Sequence, residues 1–328
     1  MVFVTGGTGL IGSFLLRALR ARGLAVRALH RGPVPDGAAP GVEWLAGDLL
    51  DTDLLRAALT PGVTHVFHCA GLVSYAPQDV ELLQRMNVDG TAGVVDACLD
   101  RPGIRLAHVS SVAALGTPTA PGPQVVTEAA IWDLGAAHTA YATSKYLSEL
   151  EVWRGAAEGL STVIVNPSVV LGPGDWHRSS TRLLRYAYDQ HRFYTRGLVN
   201  FVDVRDVVAQ LLALALDLPT VRDQRFILSA GALPLDDFFG QAAAALGRRP
   251  PTVAVPDWAA EGIWRLEHVR ALLTGARPLI TRDTARAGRY PITYANARVQ
   301  QATSLPFKPL SETITWCAAT LIKAAAAT

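Results

Sequence analysis

Short apolar runs alternate with longer amphipathic segments over the first half of the chain. Residues 2–4, 25–29, 42–46, 64–68, 105–109 and 162–165 read as strands. They are brief, rich in β-branched residues and bounded by glycine, proline or small polar residues. Between them, 13–22, 51–59, 79–99 and 140–157 read as helices, with Asp51 or Thr52 placed to cap the second. Strands alternating with helices predict right-handed βαβ units and a parallel, doubly wound α/β sheet. Ligands of such sheets bind at the carboxyl ends of the strands. A glycine-rich turn after Val4, His30-Arg31, Asp48, Ala70-Gly71, Ser111 and Asn166-Pro167 all fall at those ends. One edge of the sheet therefore collects the candidate chemistry.

Beyond Pro167 the pattern loosens. Residues 171–180 carry Gly172, Pro173 and Gly174 and read as loop. Residues 201–216 and 225–228 are expected to return to the sheet, and 235–246, 257–273 and 310–322 read as helices of a smaller lobe. The expected division is a sheet domain over 1–166, with 201–229 returning to it, and a cap built from 167–200 and 230–328. Trp258, Trp264, Leu266 and Val269 fall on an amphipathic segment and read as cap core.

Composition narrows the class without changing this picture. Of 328 residues, 50% are hydrophobic and 18% charged, as in ordinary globular proteins. The formal net charge is +2 and no basic block interrupts the chain, so nucleic acid is not an expected partner. The apolar runs 207–216 and 314–327 are too short or too interrupted to span a bilayer, so no membrane is expected. The strand at residue 2 leaves no room for a secretory leader, and Cys69, Cys98 and Cys317 are odd in number and widely spaced. Reduced thiols in a cytoplasmic protein are the expectation. His65 and His68, which could share a strand face, have no acids or cysteines at ligand spacing, so no metal is expected. Among the 30 basic residues only Lys145, Lys308 and Lys323 are lysine, which draws attention to the first.

Gly6, Gly9 and Gly12 stand between the first strand and the first helix. Strand, glycine turn and helix form the context of a dinucleotide-binding loop: the turn must be tight, and its backbone must approach a pyrophosphate resting on the helix N-terminus. The spacing is GxxGxxG rather than GxGxxG. Tyr141 and Lys145 are four apart on a predicted helix and share one face. An ammonium beside a phenol lowers the phenol's pKa, and the pair can then act as general acid or base. Ser111 ends the preceding strand and can meet Tyr141 over a cofactor, whereas strand alternation turns Ser110 away.

These pieces occur in the order found in one family. The turn Thr5 to Gly12, Gly47-Asp48-Leu49, His68-Cys69-Ala70-Gly71, Asn87-Val88-Asp89-Gly90-Thr91, Val109-Ser110-Ser111, Tyr141 to Lys145, Asn166 to Gly174 and Phe201 to Val207 together resemble the extended short-chain dehydrogenase/reductase family. The resemblance covers at least residues 1–210. It implies an α/β fold with a doubly wound parallel Rossmann sheet and a mostly helical C-terminal substrate-binding lobe. It also implies that Tyr141 exchanges a proton with the substrate, that Lys145 holds the nicotinamide ribose, and that Ser111 hydrogen-bonds the substrate oxygen. Asn87 would support a water relay, and Asp48 would accept from the adenine amine. Gly6, Thr8, Gly9, Leu10, Ile11, Gly12, His30, Arg31, Leu49, Ala70, Gly71, Pro167 and Val169 would complete the cofactor site. Family members often dimerise through helices corresponding to 79–99 and 140–157, so a homodimer is a further expectation.

Cofactor choice follows from charge. An acid at the end of the second strand would hold the ribose of NAD, but here His30 stands there and Arg31 follows. Arg31 can pair with a 2′-phosphate, so NADP(H) is expected ahead of NAD(H). The segment 111–116 lacks the Asp-Glu pair of the family's sugar dehydratases, and the 26–31 strand end looks like the dihydroflavonol-reductase and 3β-hydroxysteroid-dehydrogenase branches. The expected reaction is reduction of a ketone or aldehyde of a small, apolar substrate, or the reverse. The alternatives are a nucleotide-sugar epimerase holding NAD and, more remotely, a non-catalytic dinucleotide sensor. Tyr75, Trp132, Asn166, Trp176 and Tyr194 are the candidate substrate residues.

Overall fold

The structure is a computed structural model, and it describes residues 1–116, 122–176, 181–274 and 291–326. Its strands are β1 (Val2–Thr5), β2 (Val26–His30), β3 (Glu43–Ala46), β4 (His65–His68), β5 (Arg105–Val109), β6 (Gln124–Val126), β7 (Ser161–Pro167), β8 (Val169–Leu171), β9 (Phe193–Thr195), β10 (Leu198–Asp203), β11 (Gln224–Leu228), β12 (Gly231–Pro234), β13 (Val253–Val255) and β14 (Ile292–Tyr294). Seven of them form one sheet in the order β11-β7-β5-β4-β1-β2-β3, and every pairing in it is parallel. The chain runs outward from β1 in one direction through β2 and β3, and in the other through β4, β5, β7 and β11. The crevice between β1 and β4 is thus the topological switch point, where ligands bind in open α/β sheets.

Both faces of the sheet are covered. Val4, Phe67, Ala107 and Val163 belong to one core, shared with α1 (Leu10–Ala21), while Phe3, Val66, Leu106 and Ile164 belong to the other. Neighbours in sequence thus feed opposite cores, which is why these strands read as continuous apolar runs. The second core is completed by α2 (Thr52–Ala58), by the helical stretch made of α3 (Val80–Leu83) and α4 (Gly90–Leu99), and by α5 (Ala140–Ala157). Between α3 and α4 the backbone widens into a π-helical turn over Gln84–Asp89. A single regular helix over 79–99 is thus corrected to two helices joined by that turn.

The expected return of 201–216 and 225–228 is met only in part. β11 joins the main sheet, and Val207, Val208 and Leu211 pack into the first core from α7 (Val204–Leu212). β10 does not join it: it pairs with β8 in parallel and β12 antiparallel in a separate three-stranded sheet. An apolar run states that a strand is buried, not which partner buries it. That small sheet lies against a second lobe formed by α6 (Arg182–Tyr188), α8 (Leu235–Leu246) and the helix Leu310–Ala326, with Phe201, Phe238 and Ile314 in its core. Trp258 and Leu266, expected in the cap core, are 79% and 73% exposed on the helix Asp257–Thr274. Among the described residues no helix is long and apolar enough to cross a membrane.

Candidate active site

At the end of β1 the chain turns through Gly6 with φ of +72°, a left-handed conformation that glycine adopts without a Cβ clash. A Cβ on Gly6 would lie 2.5 Å from the Ala70 nitrogen, so the loop after β4 closes directly against the turn. A Cβ on Gly12 would lie 2.1 Å from the Gly6 carbonyl oxygen, which presses α1 onto the turn. The Gly9 N–H donates to that same oxygen at 3.0 Å. α1 begins at Leu10 with Gly9 as its cap, no capping side chain and no acid in its first turn. The amide groups of that turn and the positive end of the helix dipole are therefore left for a ligand's oxygens. Leu10 is covered from the far side, its Cδ1 lying 3.4 and 3.1 Å from where Gly172 and Gly174 would carry a Cβ. Ile11 turns into the first core. A tight, uncapped cradle of this kind fits a dinucleotide pyrophosphate.

Beside the cradle, His30 Nδ1 lies 2.7 Å from the Gly32 carbonyl oxygen, and its ring meets Trp44 edge-on at 5.8 Å. The Arg31 side chain is 68% exposed, with Nη1 3.8 Å from Asp48 Oδ2. A pair so exposed contributes little to stability, which leaves Arg31 able to turn toward a phosphate. The other Asp48 oxygen accepts from the Leu50 N–H at 3.0 Å, and Leu49 is buried against α4, where Gly90 leaves it room. Arg17 and Asp36, which the sequence did not single out, line a recess of about 50 Å³ with Gly7 and Thr8.

At the other end of the site, α5 carries Tyr141 and Lys145 on its buried face. Ser111, the residue that caps the short 3₁₀ turn after β5, stands close to the Tyr141 side chain. Burial raises the Tyr141 pKa, and the Ser111 hydroxyl lowers it only in part. The ammonium of Lys145 donates to the Val109 carbonyl oxygen at 3.0 Å. Burial pulls its pKa down to about 8 against the opposing pull of Glu149 and Cys69. Desolvation therefore outweighs the other influences on Tyr141, and in this arrangement the Lys145 ammonium rests on the backbone of β5.

Asn87 sits in the π-helical turn and is 1% exposed. Its Oδ1 accepts from the Leu72 N–H at 2.7 Å, and its Nδ2 donates to the Leu72 carbonyl at 3.0 Å and to Ser144 Oγ at 2.9 Å. The side chain clamps the loop after β4, with Ala70 and Gly71, onto α5. Its side-chain oxygen and nitrogen are both engaged in that clamp. Beneath Lys145, His68 and His108 face each other at 5.1 Å, fully buried. His68 contacts Thr5 and Thr91, while His65 Nδ1 lies 2.9 Å from the Thr64 hydroxyl. The two histidines of β4 lie on opposite faces, as three-residue spacing on a strand requires.

Of the five candidate substrate residues, the structure brings one to the tyrosine. Tyr75, 48% exposed, meets Tyr141 edge-to-face with centroids 5.7 Å apart. Trp132 instead stacks on Tyr146 at 4.3 Å and lines a cavity of about 350 Å³ with Leu150 and Arg298, along a different face of α5. Trp176 is buried in the core of the second lobe, and Tyr194 on β9 packs against that core. Asn166 is fully buried behind Ser111, its Nδ2 donating to the Ser111 carbonyl at 3.0 Å and to the Glu149 carboxylate. Trp176 and Tyr194 thus belong to the second lobe's core, Asn166 to the wall behind Ser111, and Trp132 to a separate cavity. Pro167 pairs with Leu228 on β11, and Val169 pairs with Phe201 on β10, so both border the edge where the two sheets part. Glu149, missed in the sequence, is 1% exposed and 3.3 Å from Arg225. Its position four residues after Lys145 was the available signal.

Comparison with known proteins agrees with this geometry. The sequence profile of the NAD dependent epimerase/dehydratase family matches residues 2–225. A candidate dihydroflavonol 4-reductase of Synechocystis sp. is 33% identical over 320 residues, covering 95% of this chain and 92% of that protein. Cinnamoyl-CoA reductase 1 of Oryza sativa subsp. japonica is 30% identical, covering 68% and 69%. The crystal structure of gox2253 superposes with a TM-score of 0.82 at 29% identity, covering 99% of this chain and 98% of that one.

Proposed function

The chain belongs to the NAD dependent epimerase/dehydratase family, and from that premise we propose that it is an NADP(H)-dependent reductase of ketones or aldehydes. Its membership and its reductase relatives make it an enzyme of the short-chain dehydrogenase/reductase type, acting with NAD or NADP as oxidoreductase or epimerase. The observation that carries the narrower reading is the Tyr141–Ser111 hydroxyl pair, set beside a loop shaped for a dinucleotide.

When bound, the nicotinamide supplies a hydride. The chain supplies the remainder. Ser111 and Tyr141 would together hold a carbonyl oxygen, and the Tyr141 O–H would pass its proton to that oxygen as negative charge grows on it. A phenol whose pKa is raised by burial remains protonated at neutral pH, which suits the reductive direction. Lys145 places positive charge beneath the site and would hold the nicotinamide ribose. Tyr75, exposed over Tyr141, would press on an apolar or aromatic substrate face.

The NADP(H) preference rests on Arg31, an exposed guanidinium at the end of β2 with no carboxylate at residue 30. Replacing Arg31 with Ala should weaken NADPH binding about tenfold or more while changing NADH binding less than threefold, the size of one lost charge-assisted pair. Fluorescence titration with both cofactors measures it, and equal wild-type affinities would refute the phosphate role. A screen of ketones, aldehydes and nucleotide sugars, followed by NADPH absorbance, tests the reaction class.

A further inference from the structure

We propose that Glu149 is a positioning residue of this reaction: it holds Ser111 in place through Asn166 and sets a negative charge one helical turn from Lys145. The inference deepens the reductase reading and rests on it for the meaning of Ser111 and Lys145.

The geometry starts from burial. A carboxylate that is 1% exposed must be paired or neutralised. Arg225 of β11 meets it at 3.3 Å, and that guanidinium is itself fixed by the carbonyl oxygens of Glu128 and Ala130, at 2.9 and 2.8 Å. The second carboxylate oxygen accepts from Asn166 Nδ2. The same amide nitrogen donates to the Ser111 carbonyl, while Asn166 Oδ1 is left buried without a partner. The amide is thus oriented by its two acceptors at the expense of its own oxygen. Of those acceptors the carboxylate is the charged one and dominates. A chain of contacts from β11 through α5 and β7 therefore ends on the backbone of Ser111, the residue whose side chain stands beside Tyr141.

The charge has a second consequence. Lys145 faces Glu149 on its own helix, His68 and Cys69 from β4 and the loop after it, and His108 from β5. Burial disfavours charge on both histidines and on the Cys69 thiol, and the pull that favours the ammonium comes first from Glu149. Glu149 in turn faces Arg225, Asn166 and Lys145, with Glu128 beyond them and Arg298 3.9 Å from Glu128.

Two variants and a direct titration test this. The chain has only three lysines, so selective ¹³C-lysine labelling gives a readable Cε spectrum, with Lys145 assigned by its loss in Lys145→Arg. In Glu149→Gln the Lys145 midpoint should fall by about one pH unit, with Lys308 and Lys323 unmoved, since an opposite charge at this range is worth about a unit or more. kcat should fall about tenfold, with KM and cofactor affinity within twofold. Glu149→Asp keeps the charge but is one methylene too short to span Asn166 and Arg225. It should restore the Lys145 midpoint and leave kcat low. A purely structural Glu149 would alter stability alone. The proposal is overturned by an unmoved Lys145 midpoint in Glu149→Gln, by wild-type kcat in that variant, or by wild-type kcat in Glu149→Asp should Glu149→Gln not fold. The lysine titration needs no substrate. A failed carbonyl screen therefore sinks the reductase reading, while the midpoint still decides the role of Glu149.

Discussion

Replacing Gly12 with Ala adds one carbon at the tightest point of the cofactor cradle. The new Cβ would stand 2.1 Å from the Gly6 oxygen, 2.8 Å from its carbonyl carbon and 2.9 Å from Gly7 Cα. All three are backbone atoms, so no side chain can swing aside. Ordinary contact begins near 3.4 Å, and α1 and the turn must separate by roughly the difference, about 1 Å. Overpacking of a filled site costs about 1–3 kcal/mol, a factor of about 5 to 150 in an equilibrium constant. The cost is divided between two observables. If the turn stays closed it lowers folding stability; if the turn opens, the amide groups leave their places and the loss falls on cofactor affinity. Urea denaturation and NADPH fluorescence titration measure the two parts, which should together reach at least about 1 kcal/mol. Gly240→Ala is the control, because its Cβ on α8 would meet nothing within 4 Å. It should stabilise the fold by about 0.5–1 kcal/mol and leave NADPH binding unchanged. Wild-type stability and wild-type affinity together in Gly12→Ala would refute the cradle.

Two further outcomes concern the buried polar groups. Asn87→Ala removes three hydrogen bonds that hold the loop at Leu72 to α5. It should cost about 2–4 kcal/mol in urea denaturation at roughly 1 kcal/mol each, and a loss below about 0.5 kcal/mol would refute the clamp. His68 titrates near 6.5 in the unfolded chain and at about 3 in the fold, where burial first and Lys145 second disfavour its charge, and His108 is lowered in the same way. Their folded pKa values are depressed, so below pH 6.5 the unfolded chain takes up protons that the fold does not, and stability is lost as pH falls. Between pH 6.5 and 5 His68 should remove up to about 2 kcal/mol, and His108 acts in the same direction. Substituting Gln at both positions should flatten that part of the stability curve, and an unchanged slope would contradict it.

The sheet was legible in the sequence to the degree that local pattern decides it. β1, the glycine turn and α1 follow one another without interruption, and the left-handed Gly6 is the kind of position that glycine marks. Ala140–Ala157 matches the expected helix at both ends, with Thr139 capping it through the Ala142 N–H. What failed is what sequence separation hides. The run ending in Asp203 looks like a main-sheet strand, but its partners are Val169–Leu171 and Gly231–Pro234. Trp176 and Tyr194 carry the same aromatic signal as Tyr75, and no local feature says that two pack inside the second lobe while one stands over Tyr141. Glu149 looks like a surface acid on a helix until Arg225, 76 positions later, arrives on the edge strand. Ser111, Tyr141 and Lys145 were singled out by their context, a strand end followed by a helix face, and by the order of motifs in the family they resemble. The residues that brace them were not, since buried braces use ordinary residue types.

The most direct test of the account is the fate of the hydride. NADPH deuterated at the transferred position is incubated with the wild-type chain and with Tyr141→Phe, using a carbonyl substrate selected by the screen. The account predicts one NADP⁺ formed for each alcohol, deuterium on the new carbinol carbon, and a rate about 10²- to 10⁴-fold lower in the variant, the size of a lost general acid, with NADPH affinity unchanged. Isomerisation of a substrate without net consumption of cofactor, or full turnover in Tyr141→Phe, would contradict it.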